Sequence, residues 1–244
     1  MKNIKLLNKI AACGTEEFDP AAYTVGEDIS APQAIMVRSA AMHDMEFGSE
    51  LEAIARAGAG VNNIPVDTCA DKGIVVFNTP GANANGVKEL AIAALLLASR
   101  NIVDGINWAG TLETDVAKSV EKGKSKFAGC EIKGKTLGVI GLGAIGGLAN
   151  AAREMGMNVI GCDPFMTVNA AWKLSRGVKS AATYEDIYKS ADYITLHVPA
   201  TPQTKNMISA QTLAMMKDGV KIINLSRADL VCADDVKAAI ASGK

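Results

Sequence analysis

Residues Thr136-Leu-Gly-Val-Ile140 form a short apolar run that opens directly into Gly141-Leu-Gly-Ala-Ile-Gly146, and the helical pattern that follows extends from Ala144 to Met155. A second apolar run, Asn158 to Cys162, ends at Asp163. No other feature restricts the fold of this chain so tightly. Strand, glycine-rich turn, helix, second strand and an acid about 20 residues beyond the turn are the parts of a dinucleotide-binding βαβ unit. Each glycine answers a separate steric demand. Gly141 permits the sharp turn from strand to helix, Gly143 lets the backbone approach a pyrophosphate, and Gly146 lets helix and strand pack closely. The free amides and positive dipole end of the new helix favour phosphate there. A carboxylate at Asp163 accepts hydrogen bonds from ribose hydroxyls and repels a 2′-phosphate, so the unit predicts NAD rather than NADP. A glycine-rich turn alone also joins strands to helices that bind nothing; the ordered set is what carries the reading.

The 244 residues suit one large or two modest domains. With 49% hydrophobic and 21% charged residues, the chain can bury an ordinary globular core. A net charge of -1 gives no footprint for nucleic acid or for an anionic membrane, and neither is expected as a partner. Lys2, Lys5 and Lys9 interrupt the first residues, which therefore lack the apolar core of a secretory leader. No apolar stretch reaches the roughly 18 residues of a bilayer span. Cys13, Cys69, Cys130, Cys162 and Cys232 are scattered and form no Cys-x-x-Cys pair, so no metal site is expected. Free thiols imply a reducing, cytoplasmic setting.

Short apolar runs alternate with helical patterns along most of the chain, the signature of an α/β protein with parallel sheets. Ile4 to Leu7, Ala34 to Val37 and Ile74 to Phe77 are predicted strands, with helices over Ser49 to Ala57 and Val66 to Lys72. A single helix, apolar nearly all round and therefore covered on both sides, is expected from Val87 to about Asn107, and a more polar one from Leu112 to Lys122. After Asp163 come a weak strand near Val178 to Ala181, a helix capped by Thr183 and Asp186, and a strand from Tyr193 to His197. A helix from Ala210 to Lys217, a strand from Val220 to Asn224 and a last helix from Ala233 to Ser242 complete the pattern. Five strands from Thr136 onward predict a doubly wound, Rossmann-type sheet that is short of its usual six.

These blocks together resemble the D-2-hydroxyacid dehydrogenase family, most closely its phosphoglycerate dehydrogenases. The resemblance rests on Val37-Arg-Ser39, Arg56-Ala-Gly-Ala-Gly-Val-Asn-Asn63, Asn78-Thr-Pro-Gly81, Lys88-Glu-Leu90, Gly134-Lys-Thr-Leu-Gly138 and Asp163-Pro164. It extends to His197-Val-Pro-Ala-Thr-Pro202 and Asn224-Leu-Ser-Arg227. It implies a smaller, flavodoxin-like α/β substrate domain over residues 1–97 and an NAD-binding domain over 98–244, with the active site between them and self-association as a homodimer or higher homo-oligomer. It implies NAD-dependent oxidation of 3-phosphoglycerate to 3-phosphohydroxypyruvate, the opening step of serine synthesis. Other members act on glycerate, lactate or longer 2-hydroxy acids, and corepressors built on the same fold bind NAD(H) without catalysis.

By the same resemblance Arg227 is the catalytic arginine, holding the substrate carboxylate and carbonyl beside the nicotinamide; its guanidinium fork suits a planar α-keto acid. Arg38 and Ser39 match positions near the substrate phosphate, and Gly60, Val61 and Asn62 match a loop whose amides hold the carboxylate. Cofactor contacts fall on Ala59, Gly141, Gly143, Ala144, Ile145, Gly146, Asp163, Val198, Leu225, Ser226 and Arg227. The family's catalytic histidine and its glutamate correspond to positions past Lys244, so these 244 residues are expected to turn over poorly. His43 and His197 are read as structural or peripheral. Ala228 and Asp229 stand where relatives carry two glycines, a change expected to strain the turn if those glycines served a positive φ. Ala144 stands where many relatives carry arginine.

Overall fold

Parallel neighbours need long crossovers between strands, and the alternating pattern supplies them in both halves of the chain. The computed structural model describes residues 1–244, in two compact units, Met1–Asn83 and Ala84–Lys244.

The first unit runs β1 (Lys2–Leu7), α1 (Ala12–Thr15), β2 (Tyr23–Gly26), β3 (Ala34–Val37), β4 (Ala53–Arg56), α2 (Val66–Asp71) and β5 (Val75–Phe77). Its strands are all parallel in the order β2-β1-β3-β4-β5. That is the flavodoxin-like order. Ile35, Val37, Ile54, Met42, Ile64 and Cys69 pack into one core. Gly73 follows α2 with φ 72° and ends it. The predicted helix over Ser49 to Ala57 is instead β4. Ala53-Ile-Ala-Arg56 has a helix-like composition, but β3 and β5 pair with it on either side and Ile54 is fully buried. Tertiary pairing overrides propensity there.

The second unit begins with α3 (Ala84–Arg100), α4 (Ile102–Ala109) and α5 (Val116–Gly123), followed by a short 3₁₀ turn over Lys124–Phe127. Then come β6 (Thr136–Ile140), α6 (Gly146–Glu154), β7 (Asn158–Cys162), α7 (Val168–Trp172), β8 (Val178–Ser180) and α8 (Tyr184–Ser190). The unit ends with β9 (Tyr193–Leu196), α9 (Ala210–Met215), β10 (Lys221–Asn224), a 3₁₀ turn over Ala228–Leu230 and α10 (Ala233–Ser242). The parallel order β10-β9-β6-β7-β8 is a Rossmann arrangement with five strands.

The long helix predicted from Val87 to Asn107 is two. Asn101 adopts a left-handed backbone, φ 41°, and separates α3 from α4, a conformation asparagine tolerates better than most residues. Only one stripe of α3 is buried, Ala91, Leu95 and Ser99, while Leu90 and Leu97 remain exposed, so the expected cover on both sides is absent from this chain. All of α3 belongs to the second unit, which places the boundary at Asn83–Ala84 rather than inside the helix.

The close packing that positions the nucleotide turn is visible at Gly138. A Cβ there would overlap Ile187 Cγ2 of α8 and lie 3.1 Å from Ala191 Cβ. α8 itself starts in the predicted capping box, with Asp186 N donating to Thr183 Oγ1 and Thr183 N to Asp186 Oδ2. Hydrogen bonds from the Thr183 backbone and side chain hold the Asp186 carboxyl below its ordinary range. Replacing Gly138 with Ala is expected to cost about 1–3 kcal/mol, and urea unfolding of G138A, I187A and the double variant measures it. The double variant should be less destabilised than the sum of the singles; strict additivity would show that the two positions do not clash.

β9 is buried throughout and leaves the sheet at His197, whose N–H donates to Ile140 O at 2.8 Å. His197 Nε2 shares a hydrogen bond of 2.8 Å with the buried Thr195 hydroxyl. Burial pushes the imidazole from 6.5 down to about 4. Folded His197 therefore stays neutral where the unfolded chain is protonated. Its stabilisation is complete above about pH 6.5 and is lost as pH falls toward 4, by up to about 1.4 kcal/mol per pH unit. Urea unfolding from about pH 7 to about 4.5 should show a shallower pH slope for His197→Asn than for the parent; equal slopes would remove His197 as the cause.

Candidate cofactor and substrate sites

The nucleotide turn is set by how little space its backbone has. Gly141 has φ 88°, and a Cβ on it would sit 2.8 Å from His197 O. Its N–H donates to Cys162 O at 2.9 Å, which ties the end of β6 to the end of β7. A Cβ on Gly146, where α6 starts, would lie 2.9 Å from Leu174 Cδ2. Ile145 is half-buried just before that helix.

Asp163 closes this region. Its Oδ2 accepts from Leu142 N at 2.9 Å and from Gly143 N at 2.8 Å, and its Oδ1 accepts from Phe165 N at 2.9 Å. An ionised carboxylate offers about four lone-pair sites, so Oδ1 keeps capacity for a further donor such as a ribose hydroxyl. Beside it a cleft of about 370 Å³ is walled on one side by Gly143, Ala144, Gly146 and Gly147 and on the other by Phe165, Thr167 and Lys173. A wall without large side chains, helix amides opening onto it and an acid at its edge fit a dinucleotide.

The second strand end of this unit gathers Val198, Leu225, Ser226 and Arg227. Ser226 Oγ donates to Val198 O at 2.9 Å. Asn224 braces the turn from both sides, accepting from Ser226 N at 3.0 Å and donating to Arg227 O at 2.7 Å. Half-buried Arg227 places Nη1 3.2 Å from Ser226 O. Ala228 and Asp229 enter the 3₁₀ turn with no positive φ at either residue. The strain expected from replacing two glycines is therefore not incurred.

In the first unit the structure brings Arg38 and Ser39 to the loop Gly58–Asn62 through one residue that sequence reasoning missed. Arg56 Nε donates to Arg38 O at 3.0 Å, and its guanidinium lies over Gly58, whose φ is 153°. Asn8, itself at φ 91°, accepts with Oδ1 from Arg38 N, Ser39 N and Ala40 N at 3.2, 2.9 and 2.9 Å. Ala59 O accepts from Asn78 Nδ2 at 2.7 Å. Val61 is half-buried and its carbonyl accepts from Ile64 N at 2.9 Å, while Gly60 lies between the two braced residues. His43 donates through Nε2 to Asn62 O at 2.9 Å, so this histidine sits against the predicted substrate loop. Asparagine at the end of a strand, as at Asn224, or just after one, as at Asn8 and Asn78, was the available signal for these braces.

Comparison with known proteins identifies the family. Residues 92–244 match the D-isomer specific 2-hydroxyacid dehydrogenase, NAD binding domain. The D-3-phosphoglycerate dehydrogenase of Methanocaldococcus jannaschii is 39% identical over 201 residues, 82% of this chain and 36% of that protein. Its namesake from Bacillus subtilis is 36% identical over 202 residues, 81% of this chain and 36% of its own length. The chain thus spans little more than a third of these relatives. Among solved structures, NAD⁺-bound 3-phosphoglycerate dehydrogenase of Entamoeba histolytica aligns over 99% of this chain and 77% of its own, with TM-score 0.75 and 25% identity. A glyoxylate reductase from Paecilomyes thermophila aligns over 99% of this chain and 78% of its own at TM-score 0.80 and 24% identity, which shows the shared fold. The chain belongs to the D-isomer specific 2-hydroxyacid dehydrogenase family and carries that family's NAD-binding domain.

Proposed function

We propose that this chain serves the NAD-dependent oxidation of 3-phosphoglycerate to 3-phosphohydroxypyruvate, the opening step of serine synthesis. The observation that carries the reading is the cleft beside the glycine turn, with Asp163 bonded to Leu142 and Gly143 and one carboxylate oxygen still able to accept. The names of relatives at 36–39% identity support phosphoglycerate among the 2-hydroxy acids.

NAD supplies the hydride acceptor. Backbone and side chains of this chain bind and orient. Asp163 takes the ribose hydroxyls, and Gly141, Gly143 and Gly146 shape the backbone to which the amides of Ala144 and Ile145 contribute phosphate donors. Val198, Leu225 and Ser226 line the far part of the cofactor path. Arg227, held by the Asn224-braced turn, would orient the substrate carboxylate and stabilise the negative charge on the C2 oxygen once its proton has passed to solvent. Gly60, Val61 and Asn62 present amides to the carboxylate, and Arg38 with Ser39 receives the phosphate ester. His197 is assigned a structural role and not that of proton acceptor: burial pushes its imidazole down to about 4, which makes it a weak base, and its ring already bonds Thr195. Five unpaired cysteines support a cytoplasmic setting, and exposed Leu90, Leu97, Val103 and Ile106 support self-association as a homodimer or larger homo-oligomer.

Calorimetric titration tests the cofactor assignment. The parent should prefer NADH to NADPH, and Asp163→Asn should weaken NADH by about tenfold while narrowing that preference. Equal binding of the two cofactors by the parent would end the NAD reading.

Substrate class is tested at Arg38. Arg38→Ala should weaken binding of 3-phosphoglycerate by about tenfold or more and leave D-glycerate binding unchanged, read by calorimetric titration in the presence of NADH. Equal effects on both substrates would favour an unphosphorylated 2-hydroxy acid.

A further inference from the structure

Opposite the glycine turn, the cleft wall carries a cation. Lys173 follows α7 directly and faces the same space as Gly143, Ala144, Gly146 and Gly147. The turn Gly141–Gly146 contains no charged side chain, and the carboxylate lying on it, Asp163, is an anion. A diphosphate entering here carries two negative charges. The partial positive charge at the start of α6 is roughly half an elementary charge and does not balance both the ligand and Asp163.

The backbone of Lys173 is fixed from the helix that receives the phosphates. Asn150 of α6 donates through Nδ2 to Lys173 O at 2.8 Å and accepts from Ser175 N through Oδ1 at 2.8 Å. Arg153, one turn further along α6, donates to Gly177 O at 2.7 Å. Lys173 N donates to Ala170 O at 3.1 Å, which closes the last turn of α7. Lys173 enters none of the chain's ion pairs. A second lysine approaches the same helix end: a Cβ on Gly147 would lie 3.7 Å from Lys88 Cδ.

We propose that Lys173 is a diphosphate-binding residue of the cofactor cleft, held in place by Asn150, and supplies there the positive charge that the glycine turn lacks. The assignment rests on the NAD reading above. Lysine suits the role because its ammonium is a point charge on a flexible stem and can follow a diphosphate across a cleft. Asn150 acts through Lys173 as a positioning residue.

Calorimetric titration of the whole chain with NADH, ADP-ribose and adenosine tests the proposal, using the parent, K173Q, K173R, N150A and, as a control for general surface charge, K237Q on α10. K173Q should weaken NADH and ADP-ribose by about fivefold, leave adenosine unchanged and flatten the salt dependence of ADP-ribose binding. K173R should restore the affinity, N150A should show the same phosphate-selective loss, and K237Q should match the parent. If K173Q binds ADP-ribose as the parent does, or loses adenosine equally, the proposal fails while the NAD reading stands. If the parent binds none of the three ligands, the NAD reading fails and the proposal falls with it.

Discussion

One carboxylate oxygen, Asp163 Oδ2, takes the N–H groups of both Leu142 and Gly143 at 2.9 and 2.8 Å. The Leu142 donor is buried, where an unpaired amide is costly, whereas the Gly143 donor lies at the surface. Charge-assisted bonds of this kind are worth about 1.5–3 kcal/mol each. The bond from Gly141 N to Cys162 O continues the same seam. Together they lock the end of β7 to the turn after β6, and α6 starts from a fixed point. The order β10-β9-β6-β7-β8 places this seam beside the reversal of strand order, where open α/β sheets bind ligands.

How much of this was legible depended on whether neighbouring sequence or distant structure set the conformation. β6, β7 and β9 read clearly because central parallel strands are buried on both faces and appear as continuous apolar runs. The capping box at Thr183 and Asp186 is local by nature and was equally plain. β4 was not legible, since Ala53-Ile-Ala-Arg56 becomes a strand only through β3 and β5. The apolar run of α3 and α4 carried no mark of the break at Asn101, because a left-handed asparagine leaves hydrophobic periodicity almost unchanged.

The site divides along the same line. Its glycines and Asp163 were legible, since a tight turn and a spaced acid are sequence facts with one steric meaning. Arg56, Asn78 and Asn224 were quoted inside blocks without a role, because bracing depends on where a carbonyl lies in space. Asn8 was farther out of reach: its partners, Arg38, Ser39 and Ala40, lie thirty residues or more along the chain. Asn63 shows the cost of such placement. Its Nδ2 donates to Ala40 O at 2.8 Å, while its Oδ1 is buried without a partner. At Ala228 and Asp229 sequence reasoning inferred strain from residue type alone, and the backbone does not visit the region where strain would arise.

The same bracing decides which groups remain for anions. At the end of β3, Asn8 Oδ1 already takes the amides of Arg38, Ser39 and Ala40. If phosphoglycerate is the substrate, as proposed, its phosphate ester must be held there by side chains, the Arg38 guanidinium and the Ser39 hydroxyl, and recognition then depends on residue identity. At the nucleotide turn Asp163 takes the amides of Leu142 and Gly143 but not those that open α6. The first amides of a helix have no intrahelical acceptor, and Gly146 and Gly147, at the start of α6, line the cleft. Phosphate there is held by backbone, which any sequence with the right glycines supplies. The division explains why the cofactor unit reads so plainly from sequence, and on the proposed function it leaves substrate choice to a few side chains such as Arg38.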